Sequence, residues 1–93
     1  MIDSYVLVRT DSAGIHFGIL KYQTGKEVML NESRRIWRWK GANTLNEISL
    51  RGCDMDWTRI SEPTNEIILT EATEVLLCSE EAIANLKQSR WGV

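Results

Sequence analysis

The sequence predicts a mainly β, β-rich α+β fold: a small, strongly bent SH3-like or Sm-like barrel with one short inserted helix and a C-terminal helix. Three observations carry this. Short apolar runs alternate with turn residues from Tyr5 to Cys78, the pattern of half-buried strands. Gly18 interrupts one of those runs, as a small barrel requires where a strand turns a corner. Helix-start chemistry occurs at Thr44 and at Ser79. An α+β roll is the alternative architecture. The 93 residues make a single domain, 1–93, with a small core and a thin stability margin.

Tyr5 to Thr10 is apolar and β-branched and reads as the first strand. Asp11-Ser12-Ala13-Gly14 is turn chemistry: Asp and Ser bond the local backbone and Gly permits positive φ. Ile15 to Tyr22 is the second strand, with Ile15, Phe17 and Ile19 on one face. Gln23 to Lys26 turns the chain, and Glu27 to Leu30 is a short third strand. Asn31-Glu32-Ser33 is expected to break it. Arg34 to Trp39 follows as a fourth, with Arg35, Trp37 and Trp39 on one face and Arg34, Ile36 and Arg38 on the other. Lys40 to Asn43 connects to a helix that Thr44 caps, with Glu47 three residues on. Leu45, Ile48 and Leu50 give that helix its apolar stripe, and Gly52 stops it.

Cys53 to Asn65 is irregular and acidic, with Trp57 and Ile60 expected to anchor it as a lid. Ile67 to Thr70 and Glu74 to Cys78 are the fifth and sixth strands. Ser79 caps the last helix, where Glu80 and Glu81 favour the positive end of the dipole. Ala82, Ile83 and Leu86 point inward. Trp91 near the C-terminus is too costly to leave in water and is expected to pack.

Composition excludes several classes of function. No window of about 18 apolar residues exists, so no membrane span is expected. Met1 to Tyr5 lacks the basic-then-apolar order of a signal peptide, so the expected compartment is the cytoplasm. Cys53 and Cys78 are the only cysteines and His16 the only histidine, too few ligands for a structural zinc site. No cofactor is expected. Residues 1–53 carry a balance of +3 and residues 54–93 one of −5, for a formal net charge of −2. Such asymmetry marks either a basic binding face or two halves that pair with each other or with a neighbouring subunit.

The run Arg34-Arg35-Ile36-Trp37-Arg38-Trp39-Lys40 places four positive charges and two tryptophans in seven residues. Three readings stay open. The tryptophans cover one end of the core with the arginine stems packed along them. Alternatively Arg35 holds a phosphate and a Trp stacks on a base. In the third, Trp and Arg anchor a subunit or partner interface against an acidic counter-surface. His16 is the one side chain that titrates near neutral pH. By alternation with Ile15 and Phe17 it is expected to point outward or into a subunit contact. Ser12-Ala13-Gly14 is no nucleophile elbow, Gly14 and Gly18 form no phosphate loop, and Glu80-Glu81 are helix-start charges. The chain is therefore read as non-enzymatic. A sequence pI near 5.4 disfavours a long polyanion as main partner.

Ser12-Ala13-Gly14, Phe17-Gly18, Arg34-Arg35-Ile36-Trp37-Arg38-Trp39 with Gly41-Ala42, and Leu69-Thr70-Glu71-Ala72 together resemble a family of short proteins of tailed phages and prophages, catalogued as a domain of unknown function. The resemblance spans most of the chain. Cys53-Asp54-Met55-Asp56-Trp57 departs from its pattern, so no role of that loop follows from it. The resemblance implies a phage origin and carries no activity with it. The resulting expectation is a small phage-type binding protein of accessory or counter-defence type in the host cytoplasm. It would sequester a nucleotide-like signal or inhibit a host protein through Arg34, Arg35, Trp37, Arg38 and Trp39, with Arg9 and His16. A homo-oligomer is expected, since small domains bury extra apolar surface that way. A structural virion component docking by the same surface is the alternative. A weak single-stranded nucleic-acid binder is the third.

Overall fold

Gly18 sits where two strands pass so close that a side chain would press on the neighbouring backbone. A Cβ there would lie 3.0 Å from the carbonyl oxygen of Asn31 and 3.1 Å from the Cα of Ser33. The computed structural model describes residues 1–39, 44–54 and 58–88, and in it this contact organises a six-stranded antiparallel sheet.

The sheet is built from β1 (Tyr5–Thr10), β2 (Ile15–Thr24), β3 (Glu27–Arg38), β4 (Arg59–Ile60), β5 (Thr64–Leu69) and β6 (Ala72–Leu77). The order is β4-β3-β2-β1-β6, with β5 also on β3. The short β4 and the longer β5 thus share one side of β3: Ile36 pairs with Ile60, and Val28 through Ser33 pair with Leu69 through Thr64. Helices α1 (Leu45–Arg51) and α2 (Glu80–Leu86) complete the fold.

Two expectations about the strands are corrected. Asn31-Glu32-Ser33 does not end a strand, and β3 runs unbroken through it. Glu32 takes φ +50°. The register with β2 steps from Phe17–Arg34 to Ile19–Asn31, so β3 carries one extra residue there. This is a bulge. The turn-like composition that suggested a break supplies the residue that absorbs it. Secondly, the sheet is not closed into a barrel. β5 and β6 are consecutive and lie on opposite sides of the sheet, but among the described residues no ladder joins them. Their link, Thr70-Glu71, is fastened to both neighbours instead: Ala72 N–H donates to Lys26 at 3.0 Å and Asp11 N–H to Glu71 at 3.1 Å. β5 and β6 also begin earlier than the sequence suggested, at Thr64 and Ala72.

Both faces of the sheet are covered. On one, Leu7, Ile15, Phe17 and Ile36 pack against Leu45 and Ile48 of α1 and Ala82 and Leu86 of α2. On the other, Val6, Val8, Leu20, Val28, Leu30 and Leu69 meet inside the curl. Ile15, His16, Phe17 and Gly18 are consequently all buried.

The helices form as capping chemistry dictates. Thr44 Oγ1 accepts from Glu47 N–H at 3.3 Å, and Ser79 Oγ from Ala82 N–H at 3.1 Å. Leu45 and Ile48 are buried as expected. Leu50 is exposed, and Ser49 takes the inward place. Asn85 joins the helices: its amide accepts from Cys53 N–H and donates to the Cys53 carbonyl, both at 2.9 Å. Cys53 and Cys78 are free and buried. Among the described residues no helix is long and apolar enough to cross a membrane. The expected connection at 40–43 and the roles given to Trp57 and Trp91 lie outside the described residues.

Gly18→Ala forces β3 backbone to move, because the first contacts of the new methyl are backbone atoms. The expected loss is about 1–3 kcal/mol, the usual range for overpacking. It should appear as a lower urea midpoint at unchanged slope, the signature of a pure stability change.

Candidate functional site

The bulge at Glu32 exchanges the two faces of β3. Before it, Val28 and Leu30 face the interior of the curl. Beyond it, Arg35 stands opposite His16 while Arg34 stands opposite Phe17 and Ile36 opposite Ile15. Ser33, Arg35 and Trp37 therefore follow Leu30 onto the curl side, and Arg34 and Ile36 face the helices.

On the curl side a cleft of about 230 Å³ opens between β3 and β5, lined by His16, Ser33, Arg35, Trp37, Ser61, Glu62, Thr64 and Ile67. Its outer edge is held by pairing across the chain. Arg35 N–H donates to Ser61 Oγ at 2.8 Å. Ser61 N–H donates back to the Arg35 carbonyl at 2.9 Å. Ser61 Oγ in turn donates to the Glu62 carbonyl at 3.0 Å. The register between Ile36–Ile60 and Arg38–Arg59 leaves Trp37 as the extra residue of a second bulge on β3, and 52% of its surface is exposed.

The floor is polar and buried. His16 is 1% exposed and Ser33 3%. Nε and Nη2 of Arg35 each lie 3.4 Å from His16 Nε2. A guanidinium offers donors only, so Nε2 must be the acceptor and the ring proton sits on Nδ1. Burial, with the Arg35 charge second, lowers the His16 pKa to about 4, so the ring is neutral near pH 7. Nδ1 of His16 and Oγ of Ser33 are buried without a hydrogen-bond partner. Each such group costs about 1–3 kcal/mol if left unsatisfied. The cleft thus offers a guanidinium and an exposed indole above a floor in which the polar atoms of His16 and Ser33 are buried. Thr64 and Glu62 stand on its solvent side.

The residues singled out from sequence divide accordingly. Arg35 and Trp37 line the cleft. His16 joins them, but it is buried rather than outward, because the curl covers this face of β2 as the helices cover the other. Arg34 lines a separate small cleft with Tyr5, Phe17, Glu32, Pro63 and Lys87, where its Nη1 is buried without a partner. Tyr5 stacks on Phe17 there at 5.1 Å, and Lys87 Nζ lies 5.2 Å from the centre of the Tyr5 ring. Arg38 is exposed and pairs in register with Arg59, and Trp39 is 37% exposed beyond the end of β3. Arg9 is not part of this site. It pairs in register with Ile15, on the helix-facing side, and its Nε is 3.3 Å from Glu74.

Sequence reasoning missed Ser33, Ser61, Glu62, Thr64 and Ile67. Ser33 was legible in principle, two residues before Arg35 on a strand, had the break not been placed there. The others come from segments paired across 26 residues or more and leave no local signal. Among the described residues no group of three or more His, Cys, Asp or Glu converges as a metal site would require.

A family model described as Domain of unknown function (DUF6948) matches residues 3–86. No curated protein and no solved structure matches the chain.

The buried His16 sets a pH dependence. Its folded pKa of about 4 lies below the ordinary value of 6.5. As pH falls through 6.5 the unfolded chain takes up a proton that the folded chain refuses, so stability declines between about pH 6.5 and 4. The limiting slope for one proton is about 1.4 kcal/mol per pH unit. Above pH 6.5 the group has no effect. In urea unfolding across this range, the difference curve between wild type and His16→Gln should carry this slope, with carboxylate titrations common to both.

Proposed function

The chain belongs to the family described as Domain of unknown function (DUF6948), and we propose that it works by binding, with a small anionic, nucleotide-like ligand held in the His16–Arg35–Trp37 cleft. One observation carries the reading. Two buried polar atoms, His16 Nδ1 and Ser33 Oγ, have no partner in the protein, and both residues line a cleft whose mouth bears a guanidinium and an exposed indole. Trp and Arg are the commonest anchors of recognition, and a guanidinium binds phosphate or carboxylate through paired donors. A formal net charge of −2 suits a small anion better than a polynucleotide, which demands a basic surface.

A phage origin belongs to the same proposal and is supported by the motif resemblance of the Arg-Arg-x-Trp-x-Trp run and its companions. In that setting the cleft would serve an accessory protein of the infected host's cytoplasm, drawing down a soluble signal.

Exposure of Trp37 and Trp39 favours a second reading, in which this end of β3 docks a protein partner. The two readings differ at Trp39, which a partner surface needs and the cleft does not.

Calorimetric titration of the full chain with nucleoside 5′-monophosphates tests the first reading. Arg35→Ala and Trp37→Ala should each weaken binding at least tenfold, about 1.4 kcal/mol, in chains that circular dichroism shows still folded at the temperature of the titration. Arg9→Ala should bind as wild type. Equal loss in Arg9→Ala, or none in Arg35→Ala, would remove the cleft from the proposal. A steep dependence on salt would point to nucleic acid instead.

A further inference from the structure

We infer that the chain assembles head to tail with copies of itself: the Arg38–Trp39 end of β3 in one copy seats on an apolar row, Tyr22-Met29-Ile68, at the far end of the sheet in the next. This rests on the docking reading of Trp39 and names the partner. The cleft takes no part in it.

Strand pairing builds the row. Met29 stands in register with Tyr22 of β2 and with Ile68 of β5, so the three side chains share one face. Val28 and Leu30, on either side of Met29, are fully buried in the curl, so the row points the other way. Across three strands it runs about 10 Å. Tyr22 is 42% exposed and Ile68 53%, and Met29 is half-buried. The three residues belong to neither packed cluster of the fold. Tyr and Met are residue types enriched where protein surfaces meet.

The flanks of the row are acidic. Glu27 lies two residues before Met29 and Glu66 two before Ile68, both exposed, and alternation puts both on the face of the row. Lys21, next to Tyr22, is paired with Asp3. Lys26 belongs to the hairpin turn beyond Glu27. At the other end of β3 the signs are reversed. Arg38 is exposed and stands in register with Arg59, and the exposed Trp39 follows.

Charge chooses the pairing. Two rows face to face would set Glu27 and Glu66 against their like, and two Trp39 ends would set Arg38 and Arg59 against theirs. Like charges across an interface are costly. The row against the Trp39 end brings carboxylates to guanidiniums around an aromatic centre, and Trp and Arg are the commonest anchors of such contacts.

Distance makes the contact intermolecular. Met29 and Arg38 are nine residues apart on β3, roughly 30 Å along a strand, in a molecule whose longest dimension is 35 Å. One chain cannot bring its own two patches together. Each copy gives one and receives on the other, a heterologous contact that propagates unless its rotation closes a ring.

Sedimentation velocity of the full chain, from micromolar to millimolar concentration, tests this. The average mass should rise with concentration above the 10.7 kDa of one chain and fall back as salt is raised. Ile68→Glu and Trp39→Glu each remove one patch at an exposed position, and each alone should weaken association at least tenfold. Mixed in equal amounts, the two variants should associate again and stop at dimers. Only the intact row of one and the intact Trp39 of the other are left to meet, and the recovery shows that both are folded. A wild-type chain that stays monomeric at millimolar concentration overturns the inference and leaves the docking reading to a partner of another kind. Association abolished by Ile68→Glu but untouched by Trp39→Glu also overturns it, in favour of rows meeting face to face. So does a mixture without recovery when circular dichroism shows both variants folded. Calorimetry of Ile68→Glu with the nucleotides reads the cleft separately, so neither proposal falls with the other.

Discussion

Gly18 and the bulge it admits are the constraint on which the rest of this structure depends. A sheet that must present one face to two helices and curl the other onto itself cannot keep a simple alternation along its longest strand. β3 resolves the conflict by inserting Glu32, in the left-handed region, against a residue with no side chain. Before the insertion, even-numbered residues of β3 fill the curl. After it, odd-numbered residues do. Leu30 can thus be core and Arg35 cleft on the same face, while Ile36 still reaches the helices. Any side chain at position 18 would press on the β3 backbone on both sides of the inserted residue, at Asn31 and Ser33.

The helical layer is fixed to the sheet by polar contacts as much as by apolar ones. Asn85 bonds both backbone groups of Cys53. Ser79 caps α2 and donates from its backbone to the Ser49 carbonyl at 2.9 Å. Cys78 N–H reaches the Tyr5 carbonyl at 3.1 Å. These bonds set the angle at which α1 and α2 lie over Leu7, Phe17 and Ile36. The cleft lies on the other face, so its geometry is insulated from the helices by the full thickness of the sheet.

Much of the fold was legible from local chemistry. Tyr5–Thr10 needed only its β-branched run. The helices need only their capping residues, and Gly18 marks the distortion. What could not be read was whatever depends on pairing between distant segments. Asn31-Glu32-Ser33 has the composition of a turn, and whether such residues end a strand or kink it is decided by what lies alongside. Alternation predicts an outward His16 only where one face of its strand is wet. Here the sheet curls over that face. In the cleft, Arg35 and Trp37 were visible as a dense run of recognition residues. Ser61 to Ile67 were not, because they reach the site through the ladder between β3 and β5.

The gap between β5 and β6 has a mechanical consequence. In a closed barrel a continuous hydrogen-bonded ladder fixes the circumference, and widening it means breaking bonds. Here the curl is joined at one end by Thr70-Glu71 and is otherwise held by the packing of Ile67, Ala72 and Val75 against the inner core. Opening the curl on the β6 side of β5 would therefore cost apolar packing there rather than ladder hydrogen bonds. The described strands thus form a clip rather than a ring, with the cleft on the β3 side of β5 and the gap on the other.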